Sequence, residues 1–422
     1  MTDVLAALAE PNRRRILELL RLGEMTVTEL ATHFSVTRSA ISQHLGILAE
    51  AGLVEVRRDG RFRHYRLNPT GMGMLRSALD AFWTRELDLL VEPFKKGTPM
   101  TIEKSVLVPL NADETFALLT EPERLRRWQG ISARVDLRAG GEYRWTIVPG
   151  FNAGGSFTEV DPGRRIVFTW GWEGNPEVSP GSSTVIITLE PAEGGTTVRL
   201  VHEGLTDEQG AGHLEGWNHY LDRLVVAATD GDAGYDRWMA EAVGLDPLSS
   251  AEASLAVCQL MLRDLPPRAA ELSTPCAKFN MHELVVHLTG SIVHLGGAAG
   301  ASITPKTGTA PEIIIADAGQ EAIEAWRQRG LEGTVAMGPN EMPAEAVAGI
   351  LSMEFLVHAW DFAQALGRTI PTDDVLSDYV LGIGKGLIAP AMRDGDRFGA
   401  EVMVGPDADS LTRLIAFTGR GV

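Results

Sequence analysis

The sequence predicts a multidomain α+β protein: a winged helix-turn-helix, then a helix-grip α/β sandwich, then a four-helix bundle with a small C-terminal α/β extension. Its 422 residues are about twice what one hydrophobic core sustains. Between residues 101 and 202, short alternating strands separated by turn clusters replace the helical periodicity found on either side. Ahead of them, two short capped helices precede a basic hairpin. Composition shifts place the boundaries at residues 1–97, 98–230 and 231–422.

Composition limits the classes of function. Hydrophobic residues make up 44%, no apolar run approaches the roughly 18 residues of a membrane span, and the first residues show no export signal. A cytoplasmic protein with no membrane partner is expected. Two cysteines, Cys258 and Cys276, cannot build a cysteine-rich metal site. The net charge of −18 is unevenly spread: residues 1–98 hold 14 Lys and Arg against 12 Asp and Glu, the remainder 24 against 44. Only the N-terminal segment is electrostatically suited to a phosphate backbone.

Within that segment, Ile16, Leu17, Leu19 and Leu20 form the apolar side of a helix over 13–21. Thr26-Val-Thr-Glu29 is a capping-box pattern that starts a short helix ending near Phe34. Thr37 caps the next helix, whose Ile41, Leu45 and Leu48 share one face while Arg38, Ser39, Ser42, Gln43 and His44 are placed to reach DNA. Two strands around Asp59-Gly60 then form a two-stranded ribbon carrying Arg57, Arg58, Arg61, Arg63 and Arg66. A charge run is usually a solvated face. Its place after a polar-faced helix favours a wing, with Arg58, Arg61 and Arg63 reaching DNA.

Leu8-Ala-Glu-Pro-Asn-Arg-Arg-Arg-Ile-Leu17, Ser39-Ala-Ile-Ser-Gln-His-Leu-Gly-Ile-Leu48 and Ala51-Gly-Leu-Val54 resemble the ArsR-type winged-helix regulators over about the first 95 residues. The resemblance implies a homodimer, to which a helix over 75–90 contributes, bound to pseudo-palindromic double-stranded operator DNA and usually repressing. The stretch where many members carry sensor cysteines is Glu24-Met-Thr-Val-Thr-Glu-Leu30 here, and the terminal helix has no histidine. Any sensor is therefore expected in the rest of the chain.

After Lys95-Lys-Gly-Thr98, residues 101–109 read as a strand, a helix follows from Asp113, and five strand patterns lead to a helix of about 20 residues with Leu214, Trp217, Leu221, Leu224 and Val225 on one stripe. Thr120-Glu-Pro-Glu-Arg-Leu-Arg-Arg-Trp128, Gly155-Ser-Phe-Thr-Glu-Val-Asp-Pro162 and Thr196-Thr-Val-Arg-Leu-Val-His-Glu-Gly204 resemble the SRPBCC helix-grip domains, in the branch of the activator of heat-shock-protein ATPase. Such folds enclose an apolar pocket, which implies a small hydrophobic effector. Trp145, Trp170, Trp172 and Trp217 are the candidate lining, although buried aromatics are more often core. His202, His213 and His219 fit no catalytic pattern.

Beyond Thr229-Asp-Gly-Asp-Ala-Gly234, helical patterns cover 251–263, 281–295, 316–328 and 344–366. Glu354 and His358 lie one turn apart on the last of these, and His287 sits on the second, behind an Asn280…Glu283 cap. Two imidazoles and a carboxylate suffice for a zinc site with an open position. Glu354 and His358 alone would equally make a surface ion pair.

Ser273-Thr-Pro-Cys276, His282-Glu-Leu-Val-Val-His287, Met353-Glu-Phe-Leu-Val-His-Ala-Trp-Asp-Phe-Ala363 and Leu411-Thr-Arg-Leu-Ile-Ala-Phe-Thr-Gly-Arg420 resemble DinB-like proteins of the mycothiol-dependent maleylpyruvate isomerase type over about 180 residues. The resemblance implies one divalent metal per chain, zinc first, on His287, Glu354 and His358, with a low-molecular-weight thiol as possible partner and Asp361 orienting a ligand. A tryptophan of that family is Phe279 here, and His282 and His294 are off-pattern.

No catalytic base or nucleophile is identified. The first reading is a DNA-binding regulator whose fused domains sense a hydrophobic ligand or a metal-bound thiol. The alternative is a zinc- and thiol-dependent transferase or isomerase with an autoregulatory DNA-binding domain.

Overall fold

The computed structural model describes residues 10–21, 23–34, 36–59, 62–68, 71–72, 75, 99–238, 244–276, 278–393 and 398–422. The helix expected over 75–90 (beyond Leu75), Gly60 and Arg61 at the wing tip, and the joint at 95–98 lie outside these residues. The chain divides into two compact units between Gly97 and Thr98.

In the first unit, helix α1 (Pro11–Leu20), strand β1 (Met25–Thr26), helices α2 (Val27–Ala31) and α3 (Arg38–Glu50), and strands β2 (Val54–Asp59) and β3 (Phe62–Leu67) follow in order. Helix α2 starts where the capping box is complete: the Glu29 amide donates to Thr26 Oγ1, and the Thr26 amide donates to Glu29. It ends at Ala31, short of the expected Phe34. Thr37 Oγ1 accepts the Ala40 amide and starts α3. Ile16, Leu20, Leu30, Ile41, Leu45, Leu48, Leu53 and Tyr65 form one core. The expected two-stranded ribbon is a three-stranded sheet of order β1-β3-β2, because Met25 and Thr26 pair with Tyr65 and His64. Two residues are too few to show as a strand in sequence, and the tertiary pairing creates it.

The second unit opens with strand β4 (Pro99–Val108), helices α4 (Ala112–Thr120) and α5 (Pro122–Leu125), and strands β5 (Ser132–Val135), β6 (Glu142–Val148), β7 (Phe151–Asp161), β8 (Arg165–Trp170), β9 (Ser183–Ala192) and β10 (Gly195–Thr206). The seven strands are antiparallel in the order β4-β10-β9-β8-β7-β6-β5. Helix α6 (Asp207–Asp230) buries Trp217, Tyr220, Leu221, Leu224 and Ala227. It starts at a Thr206/Gln209 capping box and stops at left-handed Gly231.

Helices α7 (Pro247–Leu262), α8 (Met281–Ala298), α9 (Pro311–Arg329) and α10 (Ala344–Leu366) build the bundle. A hairpin of β11 (Thr334–Met337) and β12 (Asn340–Pro343) precedes α10, and α11 (Asp374–Leu387) and α12 (Ser410–Phe417) follow it. The expected C-terminal α/β extension is thus corrected: among the described residues after 366 there are helices and no strand, and the hairpin falls inside the bundle. Helix α10 is long and apolar enough to cross a membrane, yet 83% of that window is buried within the bundle. Its apolar surface is core.

Sheet and bundle are joined by buried charge. Arg126 donates to Glu312 at 3.2 Å, Arg263 to Asp232 at 2.8 Å and to the Arg126 carbonyl at 2.8 Å. Arg126 and Glu312 are almost fully buried, and each has a second, longer contact, Arg126 with Asp317 at 3.8 Å and Glu312 with Arg263 at 4.0 Å, so the charges form a network. Glu252 of α7 accepts the Gly150 amide at 2.7 Å and so holds the β6–β7 turn against the bundle.

Candidate nucleic-acid interface, cavity and metal centre

Helix α3 and the wing form one concave surface of about 460 Å³ lined by Thr26, Val27, Thr28, Arg38, Ser39, Ser42, Arg63 and Tyr65. Thr37, Arg38, Ser39, Ser42 and Gln43 are exposed on α3 and at its cap. Arg58 and Arg63 face each other across the hairpin register. Like charges directly opposite destabilise a sheet, and among the described residues Arg38, Arg58 and Arg63 have no ion-pair partner. Arg57 and Arg66 are neutralised by Glu24 (2.9 Å) and Glu55 (2.7 Å). His44 departs from the expected DNA face: it is half-buried, with Nδ1 3.7 Å from Glu10, which caps α1. Position on the helix wheel placed it, and packing against α1 withdrew it.

The sheet and α6 enclose a cavity of about 420 Å³. Trp170, Trp172 and Trp217 line it, as do Tyr220 and Trp238. Trp170 stands 5.4 Å from both Trp172 and Trp217, ring centre to ring centre. Trp145 is the correction. It is buried in the core against Tyr143, Phe168 and Trp170 and does not reach the wall. Neighbouring positions on a twisted sheet can share burial and yet differ in what they face.

Sequence reasoning also missed Trp238, Gln129 and the paired strand ends Val148 of β6 and Phe151 of β7, which complete the lining from distant segments. One signal was present. Gly212 and Gly216 sit one turn apart on α6 facing the cavity, and a Cβ at either meets nothing within 4 Å. Gly210, by contrast, packs directly on Met100. A helix-interior glycine costs about 1 kcal/mol relative to alanine, and at 212 and 216 no packing requires it. These two positions keep space open.

Behind the cavity, Trp217 Nε1 donates to His202 Nδ1 at 3.0 Å, while His202 Nε2 lies 2.8 Å from Ser183 Oγ, which donates to the Trp170 carbonyl. These roles require neutral His202 protonated on Nε2. Burial, with His213 beside it, pushes its pKa down to about 3. An unfolded histidine titrates near 6.5. Its full contribution to stability is therefore present above that value and is lost as pH falls from about 6.5 toward 3. Denaturant titrations between about pH 7 and pH 5 should show a loss approaching 1 kcal/mol per pH unit from this group below its unfolded pKa. His202→Gln should flatten that dependence; an unchanged slope would discard the assignment.

Bundle helices α8 and α10 bring His287, Glu354 and His358 together, with one ligand atom from each within 4.8 Å of the others. His358 Nδ1 donates to Asp361 at 2.9 Å, and Arg420 donates to both Asp361 oxygens at 2.8 Å. The other ring nitrogen, His358 Nε2, lies 3.6 Å from Glu354 Oε2. The distance is too long for a hydrogen bond, and Glu354 Oε2 is buried without a partner. Against the lowering effect of burial, Asp361 and Glu354 raise the His358 pKa, so a cation bound here would displace a proton from Nε2. Two imidazole nitrogens and an unsatisfied carboxylate oxygen fit a divalent cation. Burial, with the charge of His358 second, holds the His287 pKa below its usual value, which favours the neutral ring that a metal ligand requires. Phe279 stacks on His287 at 4.8 Å, occupying the place where a tryptophan was expected. His282 and His294 are exposed, away from the triad. His287 is exposed while His358 is buried, so the site opens to solvent on one side.

Residues 10–56 match the family of bacterial regulatory proteins described as arsR, and residues 109–229 match the Activator of Hsp90 ATPase homolog 1-like proteins. The HTH-type transcriptional regulator Rv2034 of Mycobacterium tuberculosis is 51% identical over 81 residues, spanning 19% of this chain and 76% of that protein. The transcriptional repressor SdpR of Bacillus subtilis is 43% identical over 70 residues, 17% of this chain and 78% of that protein. Among solved structures, an AHSA1-like protein from Rhizobium etli is 38% identical, covering 35% of this chain and 92% of its own, with a TM-score of 0.28.

Proposed function

Because the chain belongs to the arsR family of bacterial regulatory proteins and carries an Activator of Hsp90 ATPase homolog 1-like domain, we propose that it is a transcriptional repressor controlled by a small hydrophobic ligand in that fused domain. The observation that carries the DNA-binding reading is the concave surface shared by Arg38, Ser39, Ser42 and Arg63. It combines charge for phosphates with hydroxyls for base edges, and the exposed amide of Gln43 lies next to Ser42 in sequence. In this reading two copies bind as a homodimer, each α3 occupying the major groove of a half-site, with half-sites about one helical turn apart. The sensor positions of the reader being vacant of cysteine, the 420 Å³ cavity is the effector site. A ligand acts by binding one arrangement of the reader more tightly than the other.

The test is a titration of the full chain on DNA from its own upstream region against scrambled DNA of equal length and salt. A repressor of this class should prefer its own region by roughly 10³-fold or more; equal binding to both would overturn the reading.

The unsatisfied Glu354 oxygen favours a second function of the same chain. His287, Glu354 and His358 would hold one divalent ion, zinc by the nitrogen-rich donor set. Such an ion supplies Lewis acidity and lowers the pKa of a thiol that reaches its open side. Asp361, held by Arg420, fixes the tautomer and ring orientation of His358, and exposed His287 leaves room for a small thiol. This site is sensory in the regulator reading and catalytic in the transferase or isomerase reading. Thiol-dependent consumption of an electrophile by the loaded chain would favour the latter.

A further inference from the structure

We propose that the cavity selects a planar aromatic ligand that is neutral or positively charged, and rejects aromatic and aliphatic carboxylates. This rests on the reading of the cavity as a small-molecule site and adds the charge of its ligand.

The wall is aromatic on several sides, with Trp170, Trp172, Trp217, Tyr220 and Trp238 contributed by the sheet, α6 and the segment after it. Flat rings offer faces that stack on a planar ligand and attract a cation through their quadrupoles. Among the described lining residues there is no Lys or Arg, and the charged ones are Glu177 and Glu208. A carboxylate entering here would lose hydration without meeting a counter-ion.

Of the other lining groups that could welcome an anion, His213 is already committed, and the buried donors without a partner among the described residues, Trp170 Nε1 and Tyr220 Oη, are uncharged and serve the oxygen of a neutral ligand as well. His213 donates from Nδ1 to the Gln209 carbonyl at 2.7 Å and accepts from Trp172 Nε1 at 3.2 Å, an arrangement only the neutral ring can make. The N-terminus of α6 borders the cavity, and helix N-termini attract anions. Here Thr206 and Gln209 cap each other's amides, and Asp207 and Glu208 occupy the first turn. From residue 99 onward the chain carries 24 Lys and Arg against 44 Asp and Glu, so its long-range field also repels anions. Gly212 and Gly216 open the α6 wall beside Glu208, giving a flat ring space to lie against the helix.

The test uses the full chain and three probes with one ring system: anthracenylmethylammonium, anthracenylmethanol and anthracenecarboxylate. Binding is read at low ionic strength from tryptophan quenching and energy transfer to the probe. The ammonium and alcohol should bind, with the carboxylate about tenfold weaker or worse. Glu208→Gln should weaken the ammonium and strengthen the carboxylate while leaving the alcohol unchanged. Gly216→Leu should abolish binding of all three in a chain that still melts cooperatively. If the carboxylate binds as tightly as the ammonium, charge selection is wrong and the cavity reading stands. If no probe saturates, or Gly216→Leu binds like the parent, the cavity reading falls and this inference with it.

Discussion

Replacing Arg38 and Arg63 together by alanine should weaken binding to the upstream DNA by about a hundredfold or more near physiological salt, with the fold untouched. Both guanidinium groups are exposed and line the same concave surface, and neither has an ion-pair partner among the described residues. Their energy is therefore available to phosphates and base edges. Each lost phosphate contact should also reduce the slope of log K against log salt by about 0.9, so the double variant loses nearly 2 per bound protomer. Arg57→Ala is the control. Its guanidinium is already bonded to Glu24 through Nε and Nη2, at 3.2 and 2.9 Å, and its removal should change affinity by no more than about threefold. A double variant that keeps parental affinity and salt slope would remove α3 and the wing from the interface.

His358→Ala should abolish metal binding, taking the chain from about one zinc per molecule to almost none after dialysis against free zinc. His358 is buried between Glu354 and Asp361, and without it Glu354 and His287 offer only two ligands on different helices. Asp361→Asn should be milder, about 10–100-fold in affinity, because it perturbs the orientation of His358 and leaves the three ligands in place. Parental chain that takes up no zinc from a supplemented medium would reduce the triad to an ion pair with an adjacent histidine. Equal zinc affinity in His358→Ala would place the ion elsewhere.

Much of the fold was legible because its signals are local. Thr26, Thr37, Thr206 and Asn280 each start a helix through a bond spanning three residues, and the relevant side chains lie adjacent in sequence. Ile41, Leu45 and Leu48, or Glu354 and His358, share a face by helical period alone. The pairing of His287 with that face was suggested by a resemblance, since no spacing rule connects residues 67 or more positions apart.

The cavity was legible only in outline. Burial is non-directional, so tryptophan content in strands β6 and β8 announced an aromatic interior without distinguishing Trp145, which packs the core, from Trp170, which lines the cavity. Trp238 enters the wall from outside the expected domain, and His44 turns to Glu10 through the packing of α3 on α1.

By itself, the sequence determined the helices and their caps, the strand alternation, the basic wing and the residue types at each site, because these depend on chemistry within a few residues. The tertiary structure alone decided which tryptophans face empty space, which arginines are neutralised, and that Arg126 meets Glu312 across 186 residues. Those outcomes depend on long-range packing and charge pairing, in which many sequence-distant groups compete for the same partner and geometry selects one.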